Sequence, residues 1–388
     1  MASFAASGFR LGVLGGGQLG RMMIQEAYNL DVDVEVLDGS AAAPCRSMTS
    51  RFVVGDIKDP DAVEAFGKGL DVLTIEIEDV SVEGMRRLEA AGVRCVPRPD
   101  HVELIQDKAL QKDFFMSRGI PTAAFARCEG GAAGATAALE SGFPLVHKVR
   151  RGGYDGKGVV VLRSADDAAR KAFPGPCIAE ALVDIELELS VVVARCADGT
   201  SVAYEAVEGV FDARANVLSY LISPANVSEA IRTEATALAR RVVAELDFVG
   251  LLAVELFLDT SGNLLVNEIA PRAHNSGHHT IEANATSQFA QLLRVCLGVP
   301  LGDAAATRPV AATLNVLGDA DTPAGPPTYR GLAELLGEPG IYPHLYGKAV
   351  VTPFRKMGHI TIVGETREDV VAKVERIQRT LSVSAAKA

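Results

Sequence analysis

Tryptophan is absent from this 388-residue sequence, aromatic residues make up only 5% of it, and its six cysteines form no CxxC pair. The cysteines are scattered along the chain from Cys45 to Cys296. Isolated cysteines of this kind are more typical of buried free thiols in a reducing cytosol than of a zinc site. We therefore expect a cytoplasmic protein without structural zinc.

Long apolar runs and an excess of basic residues are also missing. No stretch of about 18 apolar residues occurs, so the sequence predicts no membrane-spanning helix. The opening MASFAASGFR is too short and too weakly apolar for a signal peptide. A net charge of −11 argues against a general nucleic-acid-binding protein. An acidic protein that binds anionic substrates must instead gather its cations locally.

The first hundred residues alternate between apolar runs and helical patterns. FRLGVLG, VDVEVLD and LDVLTIEIE predict strands, and DPDAVEAFGKG predicts a helix that begins at an Asp cap. Strands that alternate with helices form parallel sheets. We therefore expect residues 1–104 to form an α/β, doubly wound, Rossmann-like domain.

The pattern changes after about residue 105. IQDKALQKDFFMSRG predicts one helix, and the strands and amphipathic helix that follow predict an α+β middle domain over residues 105–305. The Pro/Gly-rich links TPAGPP and GEPG come next, and residues 306–388 are expected to be a small third unit. Two or three domains agree with the usual size of roughly 100–200 residues.

A glycine loop follows the first predicted strand. Gly15, Gly17 and Gly20 match GxGxxG, and Asp38 ends the next predicted strand. Glycines let the backbone approach an anion, and the following helix offers its free N–H groups. The loop could therefore serve an NAD-dependent oxidoreductase, with Asp38 on the ribose, or another phosphate site. It could also be only a tight turn that packs helix on strand.

The sequence predicts that two glutamates face each other across a hairpin. The strands VELFLD and LLVNEIA are joined by TSGN. A tight turn there pairs Asp259 with Leu264 and places Glu255 opposite Glu268, with Cβ atoms about 5 Å apart.

Two carboxylates in such apolar surroundings repel each other and lose hydration, so either one takes a proton or a cation lies between them. Mg²⁺ prefers oxygen ligands and usually shares its site with substrate phosphates. We therefore expect a magnesium site at Glu255 and Glu268, with Asn267 within reach. The competing interpretation is an edge hairpin whose glutamates face water.

Basic residues concentrate in a few segments. Lys148 precedes RRGGYDGKG at residues 150–158, which is typical of a flap that closes over phosphates but lacks the Walker spacing. A late run contains Lys348, Arg355, Lys356 and His359 and is a candidate second phosphate site. Each segment could also be a solvated surface.

Together these motifs resemble the N5-carboxyaminoimidazole ribonucleotide synthetases, from about residue 10 to 380. The motifs that carry the resemblance are GGGQLGRMM at 15–23, EIE at 76–78, QDK at 106–108, RRGGYDGKG at 150–158, NEIAPRAHNSGH at 267–278 and RKMGH at 355–359. The resemblance implies an ATP-grasp fold with an N-terminal pre-ATP-grasp domain, a flap subdomain at about 123–185 and a homodimer. One departure is His279, where the family commonly has an aromatic residue, often Trp.

The resemblance also implies roles for individual residues. Those implied to bind ATP are Lys108, Lys148, Gly153, Gly156, Glu180, Ala181, Val183, Glu188 and Asn267. Magnesium would be bound by Glu255 and Glu268. Those implied to bind 5-aminoimidazole ribonucleotide are Gly17, Gln18, Leu19, Glu76, Tyr154, Lys348 and Arg355. Those implied to act on the substrate amine or bicarbonate are Asp155, Lys157, Arg272 and His274.

The expected activity is ATP-dependent carboxylation of 5-aminoimidazole ribonucleotide by bicarbonate, with ATP and Mg²⁺ and with no nucleic-acid or membrane partner. Two alternatives remain. Another ATP-grasp ligase, such as a formate-dependent glycinamide ribonucleotide transformylase or a biotin-dependent carboxylase subunit, would differ in the loops GGYDGKG and HNSGH. A nicotinamide oxidoreductase or a nucleotide sensor would bind a nucleotide without hydrolysing ATP.

Overall fold

The computed structural model describes residues 8–137, 142–153, 158–212 and 217–386. Within these ranges, helices that combine the length and apolar character needed to cross a membrane are absent. The six cysteines are free thiols, and five of them are buried.

The N-terminal segment forms a five-stranded parallel sheet in the order β3-β2-β1-β4-β5. Its elements are β1 Arg10–Leu14, α1 Gln18–Tyr28, β2 Asp33–Asp38, β3 Arg51–Val54, α2 Pro60–Gly67, β4 Val72–Ile75, α3 Val82–Ala90 and β5 Arg94–Val96. The carboxyl ends of parallel strands lie at one edge, so the glycine loop after β1, Asp38 and Glu76 come together there. The predicted doubly wound domain is confirmed.

Two helices, rather than the one predicted, follow this sheet: α4 Pro99–Gln106 and α5 Lys108–Ser117. The break is at Asp107, whose backbone is extended and whose carboxylate accepts a hydrogen bond from Ala109 N–H. The same carboxylate accepts a 3.0 Å hydrogen bond from Arg150 Nε, and Lys108 N–H donates to Arg150 O at 2.9 Å. This tertiary contact turns the chain and sets the direction of α5.

A small antiparallel sheet of order β6-β9-β7-β8 comes next and has its own apolar core. Its elements are β6 Phe125–Cys128, α6 Gly131–Ala137, β7 Leu145–Val149, β8 Val159–Leu162, α7 Ala165–Lys171 and β9 Cys177–Ala181. Lys148 lies on β7 and Glu180 on the adjacent β9. The sheet lies within residues 123–185, where the resemblance places the flap subdomain, and that subdomain stays a prediction.

A large, mainly antiparallel sheet runs through the rest of the chain in the order β15-β14-β10-β12-β13-β16-β19-β18, with β11 paired to β10. Its first part contains β10 Ile185–Arg195, β11 Ser201–Ala203, β12 Val207–Asp212, β13 Val217–Ser223, α8 Glu229–Glu245, β14 Gly250–Asp259 and β15 Leu264–Ala270. The 3-10 helix Asn275–Gly277 follows, with α9 Thr280–Ala283 and α10 Gln288–Leu297.

The C-terminal segment contains β16 Val310–Leu317, β17 Pro327–Arg330, α11 Leu332–Leu335, β18 Ile341–Leu345, β19 Lys356–Gly364, α12 Arg367–Thr380 and β20 Ser382–Ala385. Strands β17 and β20 pair with each other in a separate two-stranded sheet. Strand β16 pairs with β13, so the expected third unit continues the large sheet while keeping its own core around β16, β19 and α12. The boundaries 1–104, 105–305 and 306–388 stay predictions.

Helix α8 shows how sequence spacing builds the central core. Ser228 caps the helix by accepting a hydrogen bond from Ile231 N–H. Ala235, Leu238 and Val242 follow at spacings of three and four, which places them on one buried face. That face packs on β10 and β14 and supports the strand that carries Glu255.

Replacing Asp107 with alanine should lower the free energy of unfolding by about 2.5–4 kcal/mol. The change removes a helix cap, which contributes about 1 kcal/mol, and a charge-assisted hydrogen bond to Arg150, which contributes about 1.5–3 kcal/mol. Calorimetry would measure the shift. Asp113→Ala is the matched control, because its partner Arg127 is about half exposed and the pair contributes at most about 1 kcal/mol. Equal effects of the two changes would contradict this account.

Candidate active site

The site is built around the hairpin of β14 and β15, in which Glu255 pairs directly with Glu268. This predicted pairing is confirmed, but the predicted pairing of Asp259 with Leu264 is wrong, because Leu264 pairs with Leu258. The loop is one residue longer than predicted, and a β-bulge at Asn267 restores the register before Glu268. Both glutamates therefore point from the same face of the sheet.

The longer loop is stabilised by its own side chains. Asp259 Oδ1 accepts hydrogen bonds from Ser261 N–H at 2.9 Å and Asn263 N–H at 2.8 Å, and Asp259 N–H donates to Asn263 O. These contacts close the chain around Gly262, which has a φ of +84° that glycine tolerates at no steric cost. The hairpin thus has one defined register up to the bulge.

Cationic and polar groups surround the two glutamates. Lys108 Nζ hydrogen-bonds Glu268 Oε2, and His274 Nε2 lies 3.2 Å from Glu255 Oε1. Burial alone would raise the pKa of Glu268, but the charges of Lys108 and Lys148 hold it below its usual value. Glu268 is therefore an ionised carboxylate paired with a lysine at the start of α5.

Glu188 is a third acid close to the glutamate pair, because on β10 it pairs with Phe257 of β14, two residues from Glu255. Burial, followed by the charges of Glu255 and Glu268, raises the pKa of Glu188 to about 7. Among the described residues, no third His, Cys, Asp or Glu completes a metal-binding group. The two hard carboxylates fit Mg²⁺, provided that a substrate supplies its remaining oxygen ligands.

Lysines connect this hairpin to the flap sheet. Lys148 Nζ lies 2.9 Å from Glu180 Oε2 and donates a 3.0 Å hydrogen bond to Asn267 Oδ1. Lys112 Nζ lies 3.3 Å from the other oxygen of Glu180 and is 2% exposed. Lys112 was not predicted from the sequence as a site residue. It lies four residues after Lys108, so both lysines fall on one face of a helix, and this spacing is a signal that would have predicted it.

The glycine loop and Glu76 form a second part of the site at the edge of the parallel sheet. Glu76 Oε1 accepts a 3.1 Å hydrogen bond from Leu19 N–H in the first turn of α1. A Cβ atom at Gly17 would lie only 2.4 Å from the same oxygen, so the loop needs glycine there. Burial raises the pKa of Glu76. The structure therefore brings together Gly17, Leu19 and Glu76, with Gln18 between them in sequence.

Asp38 holds this loop in place. Its Oδ2 accepts a 2.7 Å hydrogen bond from Gly16 N–H, and its Oδ1 accepts one from Ser40 N–H. A carboxylate bonded to its own loop in this way is a poor candidate for the ribose ligand of a dinucleotide. Asp38 is therefore not available to bind the ribose of NAD, which argues against an NAD-dependent oxidoreductase.

Arg272 joins the two parts of the site. Its guanidinium forms a two-point ion pair with Glu78, with Nη2 at 3.2 Å from Oε1. Although burial opposes the charge, Glu78 raises the pKa of Arg272. His274 Nδ1 lies 2.8 Å from Ser276 Oγ, which in turn contacts Ser190 Oγ at 2.8 Å. Arg272 and His274 are thus oriented next to the glutamate pair, and Glu78 was not singled out within EIE.

The late basic run differs from the expectation. Lys348 Nζ donates to Lys356 O at 2.7 Å, and the exposed Arg355 donates to Val350 O. His359 is 0% exposed and lies between the rings of His278 and His344 at 4.5 Å from each, and burial lowers its pKa well below the usual value. The prediction that His359 contributes to a cationic cluster is therefore wrong.

Other predicted residues are placed less fully. Gly153 lies in the segment between β7 and β8, Ala181 ends β9, and Val183 lies in the link to β10. Tyr154, Asp155, Gly156 and Lys157 lie outside the described residues. His279 is buried, and burial lowers its pKa to about 4, so it occupies the position of the family aromatic as a neutral ring.

Comparison with known proteins identifies the class. Residues 113–289 match the ATP-grasp domain, residues 9–106 the ribonucleotide synthetase preATP-grasp domain, and residues 311–373 the phosphoribosylaminoimidazole carboxylase C-terminal domain. The fold is therefore that of an ATP-grasp ligase.

Similarity to individual proteins identifies the family within this class. An N5-carboxyaminoimidazole ribonucleotide synthetase structure from Thermotoga maritima is 36% identical, with a TM-score of 0.86, and the match covers 97% of this chain and all of that one. A complex of the Aspergillus clavatus N5-carboxyaminoimidazole synthase with ADP and 5-aminoimidazole ribonucleotide is 32% identical over 96% of this chain and 98% of that one, with a TM-score of 0.85. The chain belongs to the N5-carboxyaminoimidazole ribonucleotide synthase family.

Some curated relatives are longer than this chain. The chloroplastic phosphoribosylaminoimidazole carboxylase of Vigna aconitifolia is 38% identical over 93% of this chain, which spans 65% of that protein's length. The shared part is therefore the segment that contains all three matched domains.

We expect Glu188→Gln to change how stability depends on pH. Since the pKa of Glu188 is raised above the value of an unfolded glutamate, ionising it in the folded protein costs stability as pH rises from about 4.5 through 7. The variant should therefore melt at a higher temperature than the parent at pH 8 and at nearly the same temperature at pH 4.5, without added nucleotide or metal.

Scanning calorimetry from pH 4.5 to 8 would measure this difference. Glu186→Gln, on the same strand but exposed, is the control and should leave the profile unchanged. A Glu188→Gln profile parallel to that of the parent would show that the carboxylate does not carry the raised pKa.

Proposed function

We propose that this chain carries out the reaction of its family, the ATP-dependent carboxylation of 5-aminoimidazole ribonucleotide to N5-carboxyaminoimidazole ribonucleotide in purine biosynthesis. The observation that carries the proposal is the Glu255–Glu268 pair beside Lys108 and Lys148. The Aspergillus clavatus complex, which contains ADP and 5-aminoimidazole ribonucleotide, supports the choice of substrates.

The ATP site lies between the flap sheet and the hairpin. Lys108 and Lys148 bind phosphate oxygens and leave the carboxylate and amide that hold them in the free protein. Glu180, Ala181 and Val183 contact the adenine, and Glu188 contacts the ribose, as the resemblance implies. Gly153 and Gly156 belong to the flap that covers the phosphates.

Mg²⁺ bound by Glu255 and Glu268 would neutralise the phosphate oxygens of ATP. Asn267 lies at the bulge between the hairpin strands and is held by Lys148, so it can turn to a phosphate when Lys148 does. The oxygen donors in the hairpin support this assignment, because hard carboxylates suit a hard cation.

Bicarbonate is bound by Arg272 and His274. Its oxygen attacks the γ-phosphorus of ATP, the bond to ADP breaks, and carboxyphosphate forms. Glu78 keeps the guanidinium of Arg272 charged and directed, so its donors stabilise the carboxylate of this intermediate. Carboxyphosphate hydrolyses in water, so flap residues 150–158 must exclude solvent.

The ribonucleotide lies at the edge of the parallel sheet. Gly17, Gln18, Leu19, Glu76 and Tyr154 contact it, and Lys348 and Arg355 bind its phosphate. Carboxyphosphate releases CO₂ and phosphate, and the substrate amine adds to the carbon of CO₂. Asp155 accepts the proton that the amine loses, and Lys157 assists from the same loop. We also propose a homodimer and a cytoplasmic location, the latter on the free thiols.

Purified protein should hydrolyse ATP only when bicarbonate and 5-aminoimidazole ribonucleotide are both present. The reason is that phosphoryl transfer needs the bicarbonate oxygen, and the ribonucleotide completes the closed site. A coupled assay for ADP, with each component omitted in turn, measures this dependence. Full turnover without bicarbonate, or no turnover with all three, would contradict the proposal. Binding of NAD(H) without ATP hydrolysis would favour an oxidoreductase.

Glu268→Gln should reduce turnover by at least about 10³-fold while the protein stays folded. The amide cannot supply the negative charge that a divalent cation needs. Loss of a charged metal ligand costs several kcal/mol of transition-state stabilisation. Initial rates with varied Mg²⁺, together with circular dichroism, test the change. Glu234→Gln on the exposed side of α8 should keep wild-type rates. Wild-type turnover in Glu268→Gln would remove the metal assignment.

A further inference from the structure

Lys112 is a buried lysine to which the proposed reaction assigns no role. It lies on the buried side of α5, and its Nζ is 2.7 Å from Thr122 Oγ1 and 3.3 Å from Glu180 Oε1. A lysine loses favourable hydration when it is buried, so its position needs a compensating partner. That partner is Glu180, which is itself 2% exposed.

Glu180 uses its two oxygens differently. Oε2 lies 2.9 Å from Lys148 Nζ. Oε1 is buried and has no hydrogen-bond partner of good geometry among the described residues, although Lys112 lies close enough for an ion pair. A buried carboxylate oxygen with a free lone pair can accept a hydrogen bond from an amino group of a ligand.

The two lysines beside Glu180 are held in different ways. Lys148 is shared with Asn267 at the hairpin bulge, so it can turn from Glu180 to the phosphates of a nucleotide. Lys112 is fixed, because Thr122 Oγ1 donates a 2.7 Å hydrogen bond to Val266 O and so presents its lone pairs to the lysine. When Lys148 moves to phosphate, Lys112 is the cation that remains beside Glu180.

We infer that Lys112 is a positioning residue that holds the carboxylate of Glu180 directed at the amino group of the purine base, so that the site selects ATP over GTP. Adenine carries an exocyclic amino group that donates to a carboxylate, whereas guanine carries a carbonyl oxygen at the same ring position. A carboxylate oxygen of Glu180 accepts a hydrogen bond from the amino group and repels the carbonyl oxygen. The inference rests on the proposed ATP site and names the group that sets its base specificity.

Burial lowers the pKa of Lys112 to about 8, and Glu180 opposes this shift. The lysine therefore stays mainly charged at pH 7, where its charge depends on the carboxylate beside it. This agrees with a lysine whose charge is supported by the neighbouring carboxylate.

The test measures binding of MgATP and MgGTP by calorimetry at pH 7, without bicarbonate or ribonucleotide. Lys112→Met keeps the length of the side chain but removes its charge. We expect affinity for ATP to fall by at least about tenfold and affinity for GTP to change by less than about threefold. The preference for ATP should therefore fall by about threefold or more. Equal losses for both nucleotides, or an unchanged ratio, would overturn the inference by showing that Lys112 only supports the fold.

If Lys112→Met does not fold, a second variant, Thr122→Val, tests the same inference. It removes the hydroxyl that fixes Lys112 and should lower the ATP preference in the same direction by a smaller factor, whereas an unchanged ratio would overturn the inference. Lys171→Met, at an exposed position on α7, is the control and should leave both affinities unchanged. Because the readout is nucleotide binding, a parent protein that discriminates ATP but fails to carboxylate would count against the proposed function alone.

Discussion

Two carboxylates, Glu255 and Glu268, face each other across adjacent strands, and the charges of the surrounding site are arranged around them. Their repulsion is relieved on one side by Lys108 and on the other by His274. Burial and, after it, the charges of the two glutamates raise the pKa of the neighbouring Glu188. A site with this charge distribution is suited to a divalent cation that arrives with the phosphates of ATP, because the cation and phosphates balance the acids and lysines together.

The fold brings several chain segments to this pair. The loop after β4 supplies Glu78, which directs Arg272, while α5 supplies Lys108 and Lys112. The flap sheet supplies Lys148 and Glu180 through neighbouring strands. Few of these contacts are local in sequence, so a change at one segment, such as the turn at Asp107, affects the geometry of groups that lie far away along the chain.

The sequence allowed the fold class and the facing glutamates to be predicted, because alternating apolar runs and a polar turn between two strands are local patterns. The loop length and strand register of the hairpin were harder to predict from the sequence. The loop is one residue longer than expected, and the bulge at Asn267 compensates for it. A bulge depends on how a strand fits its partner, so it carries a weak local signal.

Other parts of the site depended on distant contacts. The helical pattern continues through Asp107, and the break there depends on the bond to Arg150, 43 residues later, as well as on the local cap to Ala109 N–H. His359 looked cationic in a basic run, but rings from two other segments bury it. In the sequence, Lys112 has the pattern of an ordinary helix lysine, and only its contact with Glu180 in the structure indicates a role in the site. In each case the partner that decides the role is remote in sequence.

The most direct measurement is the position of a divalent cation in crystals grown with ADP and Mn²⁺, located by anomalous scattering. This account predicts one peak between the carboxylates of Glu255 and Glu268, about 2.1 Å from an oxygen of each and in contact with the diphosphate. A nucleotide-bound crystal in which Mn²⁺ lies away from both carboxylates, or in which the two side chains point to opposite faces of the sheet, would contradict it.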